Sequence, residues 1–163
     1  MNANIPTYQK RLLWLTVVQN LLLAGAAAFL MLKFGDLRIG SLSDEHFTGY
    51  DNIMMYYIGT AIIFMPLEAA VLKLPVKPDR ADYVKKIKDS LFTMMAEGLF
   101  LLAVSVFNIV RYGESALYDV ADGQAFAGGE GLFNLTMLPF MAIGVIELII
   151  CAVCFFKIKR EED

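Results

Sequence analysis

The sequence predicts an all-α integral membrane protein, a four-helix transmembrane bundle with N-in/C-in topology and two short acidic outer loops. Three observations predict it. Four apolar runs fill more than half of the chain, the basic residues fall almost entirely on one side of those runs, and each run carries a polar side chain at a common depth. With 58% hydrophobic and only 19% charged residues in 163, and a mean hydropathy of +0.56, the chain is far more apolar than a soluble domain of its size. The bundle takes up residues 1–163 as a single domain.

The runs cover residues 12–32, 53–72, 91–110 and 135–156. At about 1.5 Å per residue, roughly 20 residues match a hydrocarbon core about 30 Å thick. A soluble bundle would show a polar stripe every three to four residues, but Leu21 to Leu32 contains no polar side chain. The first run exceeds the roughly 7 to 15 residues of a signal-peptide core, and no small-x-small cleavage site follows it, so it is expected to stay in the protein.

Between the first two runs, residues 34–52 form the first outer loop, where "LRIGSLSDEHF" alternates enough for a short strand or hairpin. Pro75 and Pro78 end the second run, and Asp79 can cap a new segment in which Tyr83, Val84 and Ile87 form an apolar stripe opposite Lys85, Lys86 and Lys88. This segment reads as an interfacial amphipathic turn entering the third helix, with the three lysines as an inner-face basic anchor for anionic headgroups. The second outer loop, "YGESALYDVADGQAFAGGEGLFN", is rich in glycine, lacks a continuous apolar run and is expected to lie on the membrane face. Its Asp119 and Asp122 lack the alternating acidic pattern of a calcium loop and read as a solvated turn. Asn134-Leu-Thr136 is a formal glycosylation sequon placed too close to the fourth helix for modification.

Orientation follows from charge. Lys10, Arg11, Lys73, Lys77, Arg80, Lys85, Lys86, Lys88, Lys157, Lys159 and Arg160 lie on one side; Lys33, Arg38 and Arg111 complete the 14 basic residues on the other. The positive-inside bias places both termini in the cytoplasm, or in the matrix if the membrane is the mitochondrial inner one rather than a plasma or endomembrane. No nucleic-acid partner is expected. Cys151 and Cys154 are the only cysteines and sit near the inner end of the fourth run. They cannot staple the outer loops, and are read as lipid-facing or as candidates for S-acylation.

The sharpest feature is one acid in an otherwise hydrocarbon-like stretch, Glu147 in "GVIELIICAV". A charge at such a depth costs about 2.5 to 3.5 kcal/mol on insertion scales. Counting about 1.5 Å per residue inward from Arg11, Lys73, Asp89 and Lys157 places Asn20, Glu68, Glu97 and Glu147 in one slab, roughly 8 to 15 Å inside the inner boundary. Gln19 adds a second amide. Gly25, Gly98 and Gly144 are expected to allow close helix packing beside these groups, and Pro66 to open the second helix by freeing the carbonyl of Ile62. Three carboxylates so close in a low dielectric are not all ionised, so most are expected to be protonated hydrogen-bond donors, with Glu147 paired to Asn20 across the first and fourth helices.

The start "YQKRLLWLTVVQNLLLAGAAAFLML", Glu97 in the third helix and the tail "GVIELIICAVCFFKIKREED" resemble the first, third and fourth helices of tetraspanins. The resemblance implies that Asn20, Glu97 and Glu147 line a cone between helix pairs in which a sterol or other lipid can sit, and that partner proteins are organised laterally. The chain departs from that family in lacking a large outer loop with a Cys-Cys-Gly motif, and Glu68 is an addition.

Enzymatic readings find little footing. Haem and di-iron centres in helices need histidines, and the single His46 lies in an outer loop. No nucleophile–base pair, phosphate loop or dinucleotide fingerprint occurs, and the arginine-rich signature of four-span glutathione-dependent enzymes is missing. No catalytic residue, metal or cofactor is therefore expected. The sequence points to a non-catalytic structural or modulatory subunit packed against lipids and other integral membrane subunits of a larger complex. The competing expectation is a small proton- or cation-coupled transporter, or a channel-forming oligomer, that uses the glutamate layer.

Overall fold

The computed structural model describes residues 5–40, 48–73, 80–112, 116–119 and 131–162. Helices α1 (Ile5–Phe34), α2 (Tyr50–Lys73), α3 (Arg80–Tyr112) and α4 (Leu132–Glu162) contain the four apolar runs and extend beyond each of them. All four are long and apolar enough to cross a membrane. Charge is placed to suit the helix dipoles: Asp51 and Asp82 lie in the first turns of α2 and α3, and Lys33 and Arg111 in the last turns of α1 and α3. Gly131, at φ 76°, occupies a backbone conformation that other residues resist, and its carbonyl accepts the first bond of α4 from the Leu135 amide at 3.2 Å. The segment from Arg80 to Ser90 is continuous with α3, as the amphipathic reading anticipates.

The helices run up and down in two hairpin pairs, α1 on α2 and α3 on α4, joined by an α2–α3 seam; α1 and α4 touch much less. Buried positions explain the geometry. In α4, Phe133, Met137, Phe140, Gly144, Glu147 and Cys151 alternate by four and three residues, with Thr136 buried beside Met137. In α3, Leu91, Met94, Gly98, Leu101, Ser105 and Asn108 follow nearly the same rhythm. This is the seam of helices that cross at a shallow angle with side chains interlocked.

At one end, both outer connections join in a three-stranded antiparallel sheet. Strands β1 (Leu37–Gly40) and β2 (Thr48–Gly49) form the expected hairpin, with Arg38 opposite Gly49. The second outer connection adds a strand that no reading of the sequence anticipated. Its β3 (Ala116–Asp119) pairs with the free edge of β1, Ile39 opposite Leu117, because edge backbone groups next to an apolar face gain from a partner strand. Leu37 and Ile39 are buried on Tyr50, Phe133 and their neighbours, so the sheet closes that end of the core. Asp122, His46, Pro75, Pro78 and Asp79 lie outside the described residues.

Two apolar clusters fill the interior. The outer cluster gathers Leu23, Ala27, Tyr50, Met54, Tyr57, Leu101, Phe133 and Phe140. The inner one gathers Leu12, Leu72, Ile87, Leu91, Met94 and Cys151, with Ile158 packed against it. The start of α1, the end of α2, the start of α3 and the end of α4 therefore share one end of the bundle, and the Gln9 amide nitrogen donates to the Leu72 carbonyl there.

Candidate functional site

Between the two apolar clusters lies a layer of buried polar side chains. Asn20 and Thr16 face inward from α1 on the same stripe as Leu12 and Leu23, with Gln19 beside them. Glu68 from α2, Glu97 from α3 and Glu147 from α4 are each 0% exposed. Each acid occupies a position in its helix's buried seam, so the packing that buries Met94, Leu101, Phe140 and Cys151 carries the carboxyl groups into the same interior.

Glu97 is the centre of the group, with Glu68, Glu147 and the Asn20 amide as its polar neighbours. Glu68 also faces the Thr16 hydroxyl. Neither the Thr16 hydroxyl nor the Asn20 amide reaches hydrogen-bonding geometry with a carboxyl oxygen. All six oxygens of Glu68, Glu97 and Glu147, together with Thr16 Oγ1, Gln19 Nε2 and Asn20 Oδ1, lack a hydrogen-bond partner. The Asn20 Nδ2 group donates to the Thr16 carbonyl at 3.1 Å, within its own helix. The expected Glu147–Asn20 bond is therefore not made, because α1 packs chiefly on α2 and α4 on α3, leaving no close α1–α4 seam to bring them together. Among the described residues, no group of three or more His, Cys, Asp or Glu side chains is arranged to hold a metal ion.

The other predicted positions fall into different settings. Gly98 and Gly144 face each other where α3 crosses α4: a Cβ built on Gly98 would lie 3.0 Å from the Gly144 carbonyl oxygen and 3.1 Å from Glu147 Oε2. Gly25 departs from the close-packing expectation. It is exposed, with nothing within 4 Å of a Cβ built there, because it lies on the face of α1 away from Asn20. Pro66 is exposed and lies inside α2, which continues on both sides of it. A second internal proline, Pro139 of α4, is exposed as well.

At the inner end, Lys85 is exposed and Lys88 half-buried. Lys86 does not share their outward face; it is 8% exposed, since it adjoins buried Ile87 on the inward-turning side of α3. Cys151 also departs from the lipid-facing and acylation reading. It is 4% exposed and its Sγ donates to the Leu91 carbonyl at 3.4 Å, which places it at the α3–α4 contact. Cys154 is half-buried, and both thiols are free. In the sequon, Thr136 is buried and its hydroxyl donates to the Phe133 carbonyl at 2.7 Å.

Sequence reasoning missed a second polar group within the outer apolar cluster. The Tyr57 hydroxyl lies 3.0 Å from Ser105 Oγ and 3.4 Å from Met137 Sδ, and receives the Asn108 amide at 3.5 Å. The Tyr57 ring stacks on Phe140 with centroids 3.9 Å apart. Ser105 and Asn108 are one turn apart and in phase with Glu97 and Leu101, a signal that the spacing carried.

Comparison with known proteins finds no matching family model, no matching curated protein and no matching solved structure. The likeness to tetraspanins rests on its short motifs, and what stands is a four-helix chain with four spans long and apolar enough for a membrane.

Proposed function

We propose that the protein is a non-catalytic, four-span structural or modulatory subunit, with both termini on the cytoplasmic or matrix side, that packs laterally in a larger membrane assembly. The observation that carries this reading is the partition of its side chains. Trp14, Phe29, Tyr56, Ile63, Phe92, Phe107, Ile149 and Phe156 project outward from all four helices, while Glu68, Glu97 and Glu147 are drawn with Gln19 and Asn20 into one internal layer. Such a surface suits lipid and neighbouring helices, and a polar layer at one level opposes sliding of the helices past one another. Among the described residues, the part outside the four helices is little more than a small sheet.

The test is purification in mild detergent after crosslinking in the native membrane. A discrete assembly larger than the chain, with reproducible membrane-protein partners, is expected. A chain that stays monomeric and uncrosslinked would sink the proposal.

A second reading, a proton-coupled transporter or oligomer, is favoured by one specific observation: the carboxyl oxygens of Glu68, Glu97 and Glu147 have no hydrogen-bond partner. Buried acids so placed often serve proton relays. Proton flux in proteoliposomes separates the two. Flux that is lost in Glu97→Gln, in a variant that still folds, would establish the second reading; absence of flux in the unaltered protein would remove it.

A further inference from the structure

At the sheet end of the bundle, residues of α2 and α3 line a groove of about 780 Å³ together with Thr48 of β2. Its inward part is apolar, lined by Met55, Phe100 and Val104. Its outward end is polar and carries Arg111 with Asn52 and Thr48. Arg111 is one of only three basic residues toward this end of the chain, with Lys33 and Arg38.

The arginine is held in place. Its guanidinium lies 5.9 Å from the centroid of the Phe107 ring and 5.4 Å from that of Tyr112. Tyr112 is in turn fixed by an edge contact with the Phe133 ring, centroids 6.0 Å apart, and by its hydroxyl 3.2 Å from Thr48 Oγ1. Ring faces attract the cation without using its N–H donors, so these contacts leave the donors for a further acceptor. Among the described residues, no carboxylate lines the groove.

A planar donor fork above an apolar trough, at the level where a spanning helix leaves the hydrocarbon, matches one class of occupant in both charge and shape. We propose that this groove binds a phospholipid, with the phosphate of its headgroup on Arg111 and Asn52 and an acyl chain along Met55, Phe100 and Val104. The proposal rests on the membrane-spanning reading of the four helices and names a lipid class and a site that this reading leaves open. Phosphate is the recognised element because it accepts the guanidinium's paired N–H groups, a geometry that the ester oxygens of an uncharged lipid do not offer.

The experiment is native mass spectrometry of the purified full chain in mild detergent, supplied with equal amounts of a phosphatidylglycerol and of a diacylglycerol carrying the same acyl chains. The phospholipid is expected to be retained at least about tenfold better, the effect of one charge-assisted contact. Arg111→Gln should remove that preference, and Lys33→Gln, which deletes an exposed charge of α1 that does not line the groove, should leave it intact. Met55→Trp, at an exposed position, should lower phospholipid retention by narrowing the apolar part. This variant keeps the test decisive if Arg111→Gln does not fold.

Equal retention of the two lipids, an unchanged preference in Arg111→Gln, or unchanged retention in Met55→Trp would overturn the proposal. So would an equal loss in Lys33→Gln, which would indicate bulk attraction, or displacement of the lipid by millimolar inorganic phosphate, which would indicate a site for the free anion. Failure of the membrane reading is separately visible, because the chain would then be soluble without detergent before any lipid is added.

Discussion

Gly98 and Gly144 meet backbone to backbone where α3 crosses α4: a Cβ on Gly144 would sit 2.8 Å from the Gly98 carbonyl oxygen, closer than two such atoms can approach. The contact lies against Glu147, whose own Cβ is 3.2 Å from a Cβ placed on Gly98. Small residues here let two backbones close up beside the carboxyl layer. Gly144→Ala must push the helices apart and is expected to destabilise the protein by about 1 to 3 kcal/mol. Gly25→Ala, which meets open space, should be neutral or stabilising by up to about 1 kcal/mol. Unfolding in graded detergent mixtures measures both. Equal effects at the two sites would show that the glycine contact is not a determinant of packing.

The carboxyl layer predicts a pattern of coupling. Glu97 has Glu68, Glu147 and Asn20 as neighbours, so double-mutant cycles with Gln replacements should give interaction energies above about 0.5 kcal/mol for Glu97 with Glu147 and for Glu97 with Glu68. The Asn20–Glu147 cycle should be nearly additive, since no bond joins these two side chains. Stronger coupling for Asn20–Glu147 than for Glu97–Glu147 would contradict the arrangement around Glu97.

The small sheet should contribute to stability although it lies beyond the spans. Ile39 is 0% exposed, packed with Tyr50 and Phe133 at the outer end. Truncation to Ala is expected to cost about 2 to 4 kcal/mol. The β1 amides should also exchange slowly with deuterium, because pairing with β2 and β3 satisfies both of its edges. Exchange of Arg38 and Ile39 as fast as a free loop would remove the sheet from the account.

Four spans were legible because length and apolarity suffice to identify them. Which face of each helix turns inward was less so, and the reason is physical. In a membrane the outward face is also apolar, so Leu22 and Phe29 look like core residues on hydropathy alone, yet both are exposed. Only polar and small residues mark the seam. Asn20, Glu97, Gly98, Gly144 and Glu147 were found that way, whereas Gly25, with no polar residue in phase, pointed to the wrong face. Tyr57, Ser105 and Asn108 carried the same mark but are common enough at helix ends to pass unnoticed. The β1–β3 pairing is a long-range match between two loops, and no local pattern in "ESALYDV" distinguishes it from a turn.

The cysteines supply a test that reads burial directly. Cys151 is covered by α3 and its thiol is engaged with the Leu91 carbonyl, whereas Cys154, one turn on, is half-buried beside the inner cluster. Attack by a thiol reagent requires access to the sulfur, so a small membrane-permeant reagent should modify Cys154 first and Cys151 only after the α3–α4 contact opens. With no disulfide present among these residues, reducing agent should leave the unfolding midpoint unchanged. Mass spectrometry of timed labelling, before and after denaturation, gives the order of reaction. Fast labelling of Cys151 in the folded protein, at a rate equal to Cys154, would mean that α4 is rotated about its axis from the position described, and with it Glu147, which lies one turn away on the same face.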